Sequence, residues 1–201
     1  MGQIKVTKPA IEGLYIIEPK VYRDDRGYFM ETYNARDFKE YGLDAEFVQD
    51  NQSMSVKGVL RGLHFQKQHS QGKLVRAISG RVFDVVVDIR ENSKTFGKWF
   101  GIELSDENMK QFYVSEGFAH GFLVLSDVAE LSYKCTDFYA PGDEGGIAWN
   151  DPGIGIEWPQ VTGEYRNSAS MEGYTLEDGT KLTISSKDQE WRGIKYTVLK
   201  G

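Results

Sequence analysis

Hydrophobic and polar residues alternate at every second position along much of the chain. In residues 81–90, Phe83, Val85, Val87 and Ile89 fall on one face of a predicted strand. The other face reads Val82, Asp84, Val86 and Asp88, a mixed polar surface. Residues 129–135 repeat the pattern, with Ala129, Leu131, Tyr133 and Cys135 set against Glu130, Ser132 and Lys134. Residues 73–79 and 121–125 read as further strands. Gly72, Gly80, Gly97, Gly117, Gly142 and the pair Gly145-Gly146 punctuate the runs. Short strands at a spacing of roughly 8–12 residues predict an all-β sandwich or barrel.

Helix signals are few. Asn34 is a good N-cap for two turns ending at Tyr41, with Gly42 as the stop. Ser105 opens a second candidate helical turn over 105–108. Residues 159–183 carry the least pattern and read as a long surface excursion or hairpin, near 160–184. No repeat, low-complexity stretch or linker interrupts the chain, so residues 1–201 are expected to form a single domain.

Composition agrees with this β-rich picture: 22 glycines, 5 prolines and 13% aromatics suit many turns between strands. A hydrophobic share of 40% argues against disorder. The net charge of −6 argues against nucleic acid or an anionic membrane as partner. An anionic ligand would need a local cationic cluster. One cysteine, Cys135, excludes an internal disulfide and any Cys-x-x-Cys site. No apolar run approaches the ~20 residues of a membrane span, and the N-terminus lacks an export-type apolar core. A soluble, cytoplasmic protein is expected.

The three histidines are His64, His69 and His120. A barrel metal site would want a His-x-His pair, and residues 61–66 supply a single His, so the ligand count disfavours a metal. Arg61, His64 and Gln66 are read as sharing one strand face. Three polar groups inside a barrel are costly unless ligand or solvent uses them. His64 is thus either a hydrogen-bonded structural residue or a general base whose ordinary pKa suits neutral pH. Tyr133 is either a core filler with a satisfied hydroxyl or a proton donor. In 117–122, glycines flank His120 between two phenylalanines, the pattern of a tight strand entry.

Six ordered stretches carry a resemblance: 47–53 (FVQDNQS), 60–66 (LRGLHFQ), 71–76 (QGKLVR), 87–90 (VDIR), 117–122 (GFAHGF) and 149–152 (WNDP). Together they are similar to the dTDP-4-dehydrorhamnose 3,5-epimerases. The likeness runs from about Ile11 to Pro159 and resumes at 186–188. It implies a cupin-type jelly roll, a homodimer and a metal-free, cofactor-free isomerase of dTDP-L-rhamnose biosynthesis. The implied substrate is dTDP-4-dehydro-6-deoxy-D-glucose, whose carbon-4 ketone acidifies the protons on carbons 3 and 5.

The resemblance also implies roles. His64 is the base and Tyr133 the acid. Lys73 stabilises the enolate oxygen, and Asp188 orients His64, with Asp178 the nearest competitor across the longer segment 160–184. Arg26, Arg61, Gln49 and Asn51 match positions that bind the nucleotide sugar. Phe29 and Tyr139 match thymine contacts, and Glu31, Glu144 and Lys187 match polar contacts. His120 matches a substrate-contacting position. Some nucleotide contacts come from the partner subunit in such enzymes. A single-carbon epimerase, a 3,4-ketoisomerase and a non-catalytic sugar-nucleotide-binding cupin are the other readings that these residues permit.

Overall fold

The computed structural model describes residues 3–163 and 169–197. In chain order, β1 (Ile4–Thr7) and β2 (Leu14–Pro19) lead into a hairpin, β3 (Val21–Asp24) and β4 (Gly27–Met30). Helix α1 (Ala35–Glu40) follows, with the Asn34 side chain accepting from the Arg36 amide as its N-cap. Next come β5 (Gln49–Val56), β6 (Leu60–Gln66), β7 (Lys73–Ser79), β8 (Arg81–Asp88) and β9 (Trp99–Ser105). The chain then forms β10 (Gln111–Val114), β11 (Phe118–Val124), β12 (Val128–Cys135) and β13 (Glu144–Gly146). Short strands β14 (Val161–Thr162) and β15 (Thr175–Leu176) pair before a 3-10 turn, Asp188–Glu190, and α2 (Ile194–Thr197).

Two antiparallel sheets form a jelly roll. One has the order β1-β2-β10-β7-β12-β5, the other β13-β6-β11-β8-β9. Their inner faces meet in a core that includes Val75, Val82, Val86, Phe112, Phe122 and Leu131. The outer face of the six-stranded sheet is covered from α1 and its following loop by Phe38 and Leu43. The outer face of the five-stranded sheet is covered by the chain beyond β13, through Trp149, Trp158, Tyr174 and Leu182.

This double covering changes two expectations. The face of β8 carrying Asp84 and Asp88 is not a polar surface: both carboxylates are fully buried between the sheets. The segment 160–184 does hold a hairpin, but Ala169, Tyr174, Leu176, Leu182 and Ile184 are buried against the sheet. The apolar outer row Leu63, Val85, Val87 and Leu123 needs that cover to leave water. The expected turn at 105–108 is present, closed by the Met109 amide on the Ser105 carbonyl at 2.9 Å, and goes no further as helix. There the Asn108 side chain accepts from the Ser105 and Lys110 amides and diverts the backbone.

One irregularity positions the site. Arg61 and His64 are three residues apart, so a regular strand would send them to opposite faces. On β6, however, Arg61 pairs with Phe122 and His64 with His120. Three steps on β6 therefore match two on β11, a β-bulge that returns both side chains to the cavity side of the sheet, Arg61 at its exposed edge. Leu60 and Leu63 go to the outer core. Gly62 makes this possible: its φ is +131°, and a Cβ there would stand 2.6 Å from the Gly121 Cα.

Candidate active site

The interior between the sheets opens into two adjoining cavities of about 240 and 430 Å³, both walled by His64, Lys73, His120 and Tyr133. His64 and His120 come from β6 and β11 of the five-stranded sheet. Lys73 and Tyr133 come from β7 and β12 of the other. The imidazole of His64 and the phenol of Tyr133 thus project into one space from opposing walls.

His64 is half of a dyad. Its Nε2 lies 2.6 Å from Oδ1 of Asp188, a side chain brought in by the 3-10 turn and itself buried. Burial alone would raise the Asp188 pKa. The bonds from His64, Trp191 and Ser185 outweigh it and hold the carboxyl below its ordinary value. An ionised carboxylate only accepts, so His64 Nε2 carries the proton of this bond and Nδ1 is the nitrogen turned away from Asp188. The competitor, Asp178, is elsewhere: its Oδ2 receives Lys57 Nζ at 2.5 Å at the protein surface.

A second dyad stands beside the first. His120 Nε2 lies 2.9 Å from both oxygens of the buried Asp84. The Lys73 side-chain nitrogen makes no hydrogen bond within the protein among the described residues. Burial lowers its pKa, while Cys135, Asp84 and Glu144 partly restore it. Its side-chain nitrogen is therefore available to a ligand, burial having already stripped it of water. Burial, with the nearby Cys135, raises the Tyr133 pKa, against a smaller opposing effect of Arg61. The phenol is therefore protonated at neutral pH.

The rim is polar and ordered. Glu144 accepts from Tyr139 Oη at 3.1 Å and pairs closely with Lys187. Gln49 donates to Asn51 at 3.0 Å and accepts from the Tyr139 amide at 2.9 Å. Arg61 Nε donates to Ser55 Oγ at 3.1 Å, leaving its other guanidinium nitrogens to the cavity. Gln66 serves the scaffold: its buried amide holds the backbone of His69, Phe138 and Ala140 and so shapes the loop bearing Tyr139.

The residues named from the sequence divide into two groups. His64, Tyr133, Lys73, Asp188, Gln49, Asn51, Arg61, His120, Tyr139, Glu144 and Lys187 line the two cavities. Arg26, Phe29 and Glu31 do not. The β3–β4 hairpin pairs only with itself. Arg26 is exposed and engaged with Asp24, Phe29 is 70% exposed, and Glu31 accepts from Asn34 at 3.0 Å. Sequence reasoning missed Asp84, Trp191 and Ser185. Only Asp84 left a signal, as a carboxylate among valines on one strand face. Among the described residues no three His, Cys, Asp or Glu side chains converge as a metal-holding group.

Fold and site together define a class: a double-sheet jelly roll of the cupin kind, with a histidine–aspartate pair and a tyrosine facing each other in its interior. Comparison with known proteins narrows the class. A profile of the family described as dTDP-4-dehydrorhamnose 3,5-epimerase matches residues 8–195, and the chain belongs to that family. The protein of that name from Methanothermobacter thermautotrophicus is 52% identical over 195 residues, 97% of each chain. The dTDP-6-deoxy-D-glucose-3,5-epimerase of Legionella pneumophila, solved in complex with dTDP-4-keto-L-rhamnose, superposes with a TM-score of 0.84. It is 46% identical, covering 96% of this chain and 93% of that one. The Elizabethkingia anophelis dTDP-4-dehydrorhamnose 3,5-epimerase gives 0.83 at 48% identity, with 96% and 98% covered.

Proposed function

We propose that this chain inverts carbons 3 and 5 of dTDP-4-dehydro-6-deoxy-D-glucose, giving dTDP-4-dehydro-L-rhamnose in dTDP-L-rhamnose biosynthesis. The observation that carries the reading is a His64–Asp188 dyad opposed, across one cavity, by the protonated phenol of Tyr133. His64 Nδ1 takes the proton alpha to the ketone. The electron pair moves into the carbonyl as an enolate, whose oxygen the Lys73 ammonium stabilises. Asp188 holds the resulting imidazolium. Tyr133 returns a proton from the opposite face, and the centre is inverted. Removal and return of a proton leave the oxidation state unchanged, so the chemistry calls for no redox cofactor. Arg61 meets the diphosphate charge, which the net charge of −6 does not. A cytoplasmic enzyme fits these needs, and no described helix is long and apolar enough to cross a membrane.

Proton NMR of the reaction in heavy water tests this. Solvent deuterium is expected at both carbon 3 and carbon 5. Uptake at one carbon would mark a single-carbon epimerase, and uptake at neither would mark a binding protein.

The exposed hairpin points to a homodimer whose subunits complete each other's sites. Tyr22, Tyr28 and Phe29 stand in solvent beside Arg26, and the edge strand β5 exposes Met54 and Val56. A partner cavity would use Arg26 on the diphosphate and Phe29 on the thymine. Mixing Arg26→Ala with His64→Ala subunits is then expected to restore activity. In a random mixture half the dimers are mixed, each with one intact site, so recovery reaches about a quarter of the wild-type rate. No recovery would place Arg26 in its own subunit's site or in none.

A further inference from the structure

We infer that Trp191 is a positioning residue for the catalytic dyad: its indole N–H holds the same Asp188 oxygen that His64 uses. The inference rests on the reading of His64 as base. Asp188 Oδ1 receives Trp191 Nε1 at 3.1 Å as well as His64 Nε2 at 2.6 Å. A carboxylate turns easily about its last torsion, and a single bond to histidine does not stop it. A second donor on the same oxygen does.

The indole is itself fixed. Gly146 lies against its ring so closely that a Cβ there would stand 2.2 Å from Trp191 Cε2. Gly146 is also the strand partner of His64 in the β13–β6 ladder. The base and the group that aims its carboxylate therefore rest on neighbouring backbone. The adjoining chain is anchored as well: Ala148 donates to the Arg192 carbonyl at 2.9 Å, and the Asp188 amide donates to Ser185 Oγ at 3.1 Å. This gives Gly146 a reason other than a turn, since only a bare backbone admits the indole.

Two donors on one oxygen also share its negative charge. Without the indole, with the Ser185 bond remaining, more of that charge would act on His64 and favour its protonated form. His64 must be neutral to act as base, so the acid limb of the pH profile would move to higher pH. The other charged or titratable groups around His64 are Arg61 on β6, His120 on β11, Lys73 on β7, Tyr133 on β12, Tyr139 in the loop after β12, Glu144 on β13 and Lys187 beside the 3-10 turn. A Trp191 substitution leaves all seven in place. Trp191 lines neither cavity, so substrate affinity would not follow it.

Trp191→Phe tests the inference, since it keeps a ring and removes the donor. We expect kcat to fall about tenfold, KM to stay within about twofold, and the kcat/KM acid limb to rise by about half a pH unit. Gly146→Ala pushes the indole away without altering either dyad member and is expected to give the same signature. It decides the matter if Trp191→Phe does not fold. Wild-type kcat and an unmoved limb overturn the inference, as does a loss confined to thermal stability. His64→Ala, measured alongside, separates the two levels. Wild-type exchange in that variant overturns the base assignment itself, whereas a dead His64→Ala beside a normal Trp191→Phe overturns only the role of Trp191.

Discussion

His64→Ala is expected to abolish solvent-deuterium uptake at carbons 3 and 5, with a loss of about 10³-fold or more, while dTDP binding changes little. The reason lies in the cavity wall. The other bases within it are poorly placed or poorly charged to replace the imidazole. His120 is held on Asp84, and Lys73 and Tyr133 project from the opposing sheet, Tyr133 as a neutral phenol. Removal of His64 also leaves the buried Asp188 facing an empty volume, with Trp191 as its remaining side-chain N–H donor. The rim residues Gln49, Asn51 and Tyr139, proposed to meet the nucleotide, are held by bonds among themselves and not by His64, so binding is expected to survive. Calorimetric titration with dTDP and NMR exchange in heavy water would separate the two effects. Exchange at the wild-type rate would remove His64 from the mechanism.

Tyr133→Phe is expected to split exchange from inversion. Deprotonation needs His64, and a proton can return from the face it left, so deuterium should still enter the substrate. Inversion needs a donor on the other face. Product formation is therefore expected to fall about 10²-fold, with exchange retained within about tenfold. Phenylalanine keeps the packing against the inner core, where Tyr133 lies beside Leu131 and Val75. Burial raises the phenol's pKa, so the lost group is a neutral acid across the working pH range. Parallel time courses of substrate deuteration and product formation would show the split. An equal fall in both would assign Tyr133 to packing or binding instead, and unchanged inversion would make it a core residue.

Much of the architecture was legible because the signals were local. The Asn34 cap, the β7 run and the alternation in β8 and β12 each depend on neighbouring residues. Alternation states which residues share a face, however, and not which face turns inward. In β8 both faces are covered, so Asp84 and Asp88 looked solvated until the second sheet and the C-terminal segment were in place. The segment 160–184 showed no period because its buried residues pack singly against a sheet built elsewhere. For the site, six motifs identified most cavity residues through resemblance. The reading that puts Arg61 and His64 on one face holds only because of the bulge at Gly62, a contact between backbones; regular strand periodicity separates them. The choice between Asp178 and Asp188 was also tertiary: Lys57 holds one, and His64 holds the other. Trp191 had no sequence signal, since its role depends on a bare glycine in another strand.

The two halves of the dyad lie 124 residues apart in the chain. All the strands of both main sheets, from β1 to β13, are made before residue 188 leaves the ribosome. Under the proposed mechanism, the carboxylate that supports proton abstraction is therefore made after every strand of both walls, and a product clipped ahead of residue 188 is expected to keep His64 and Tyr133 but to lose the dyad.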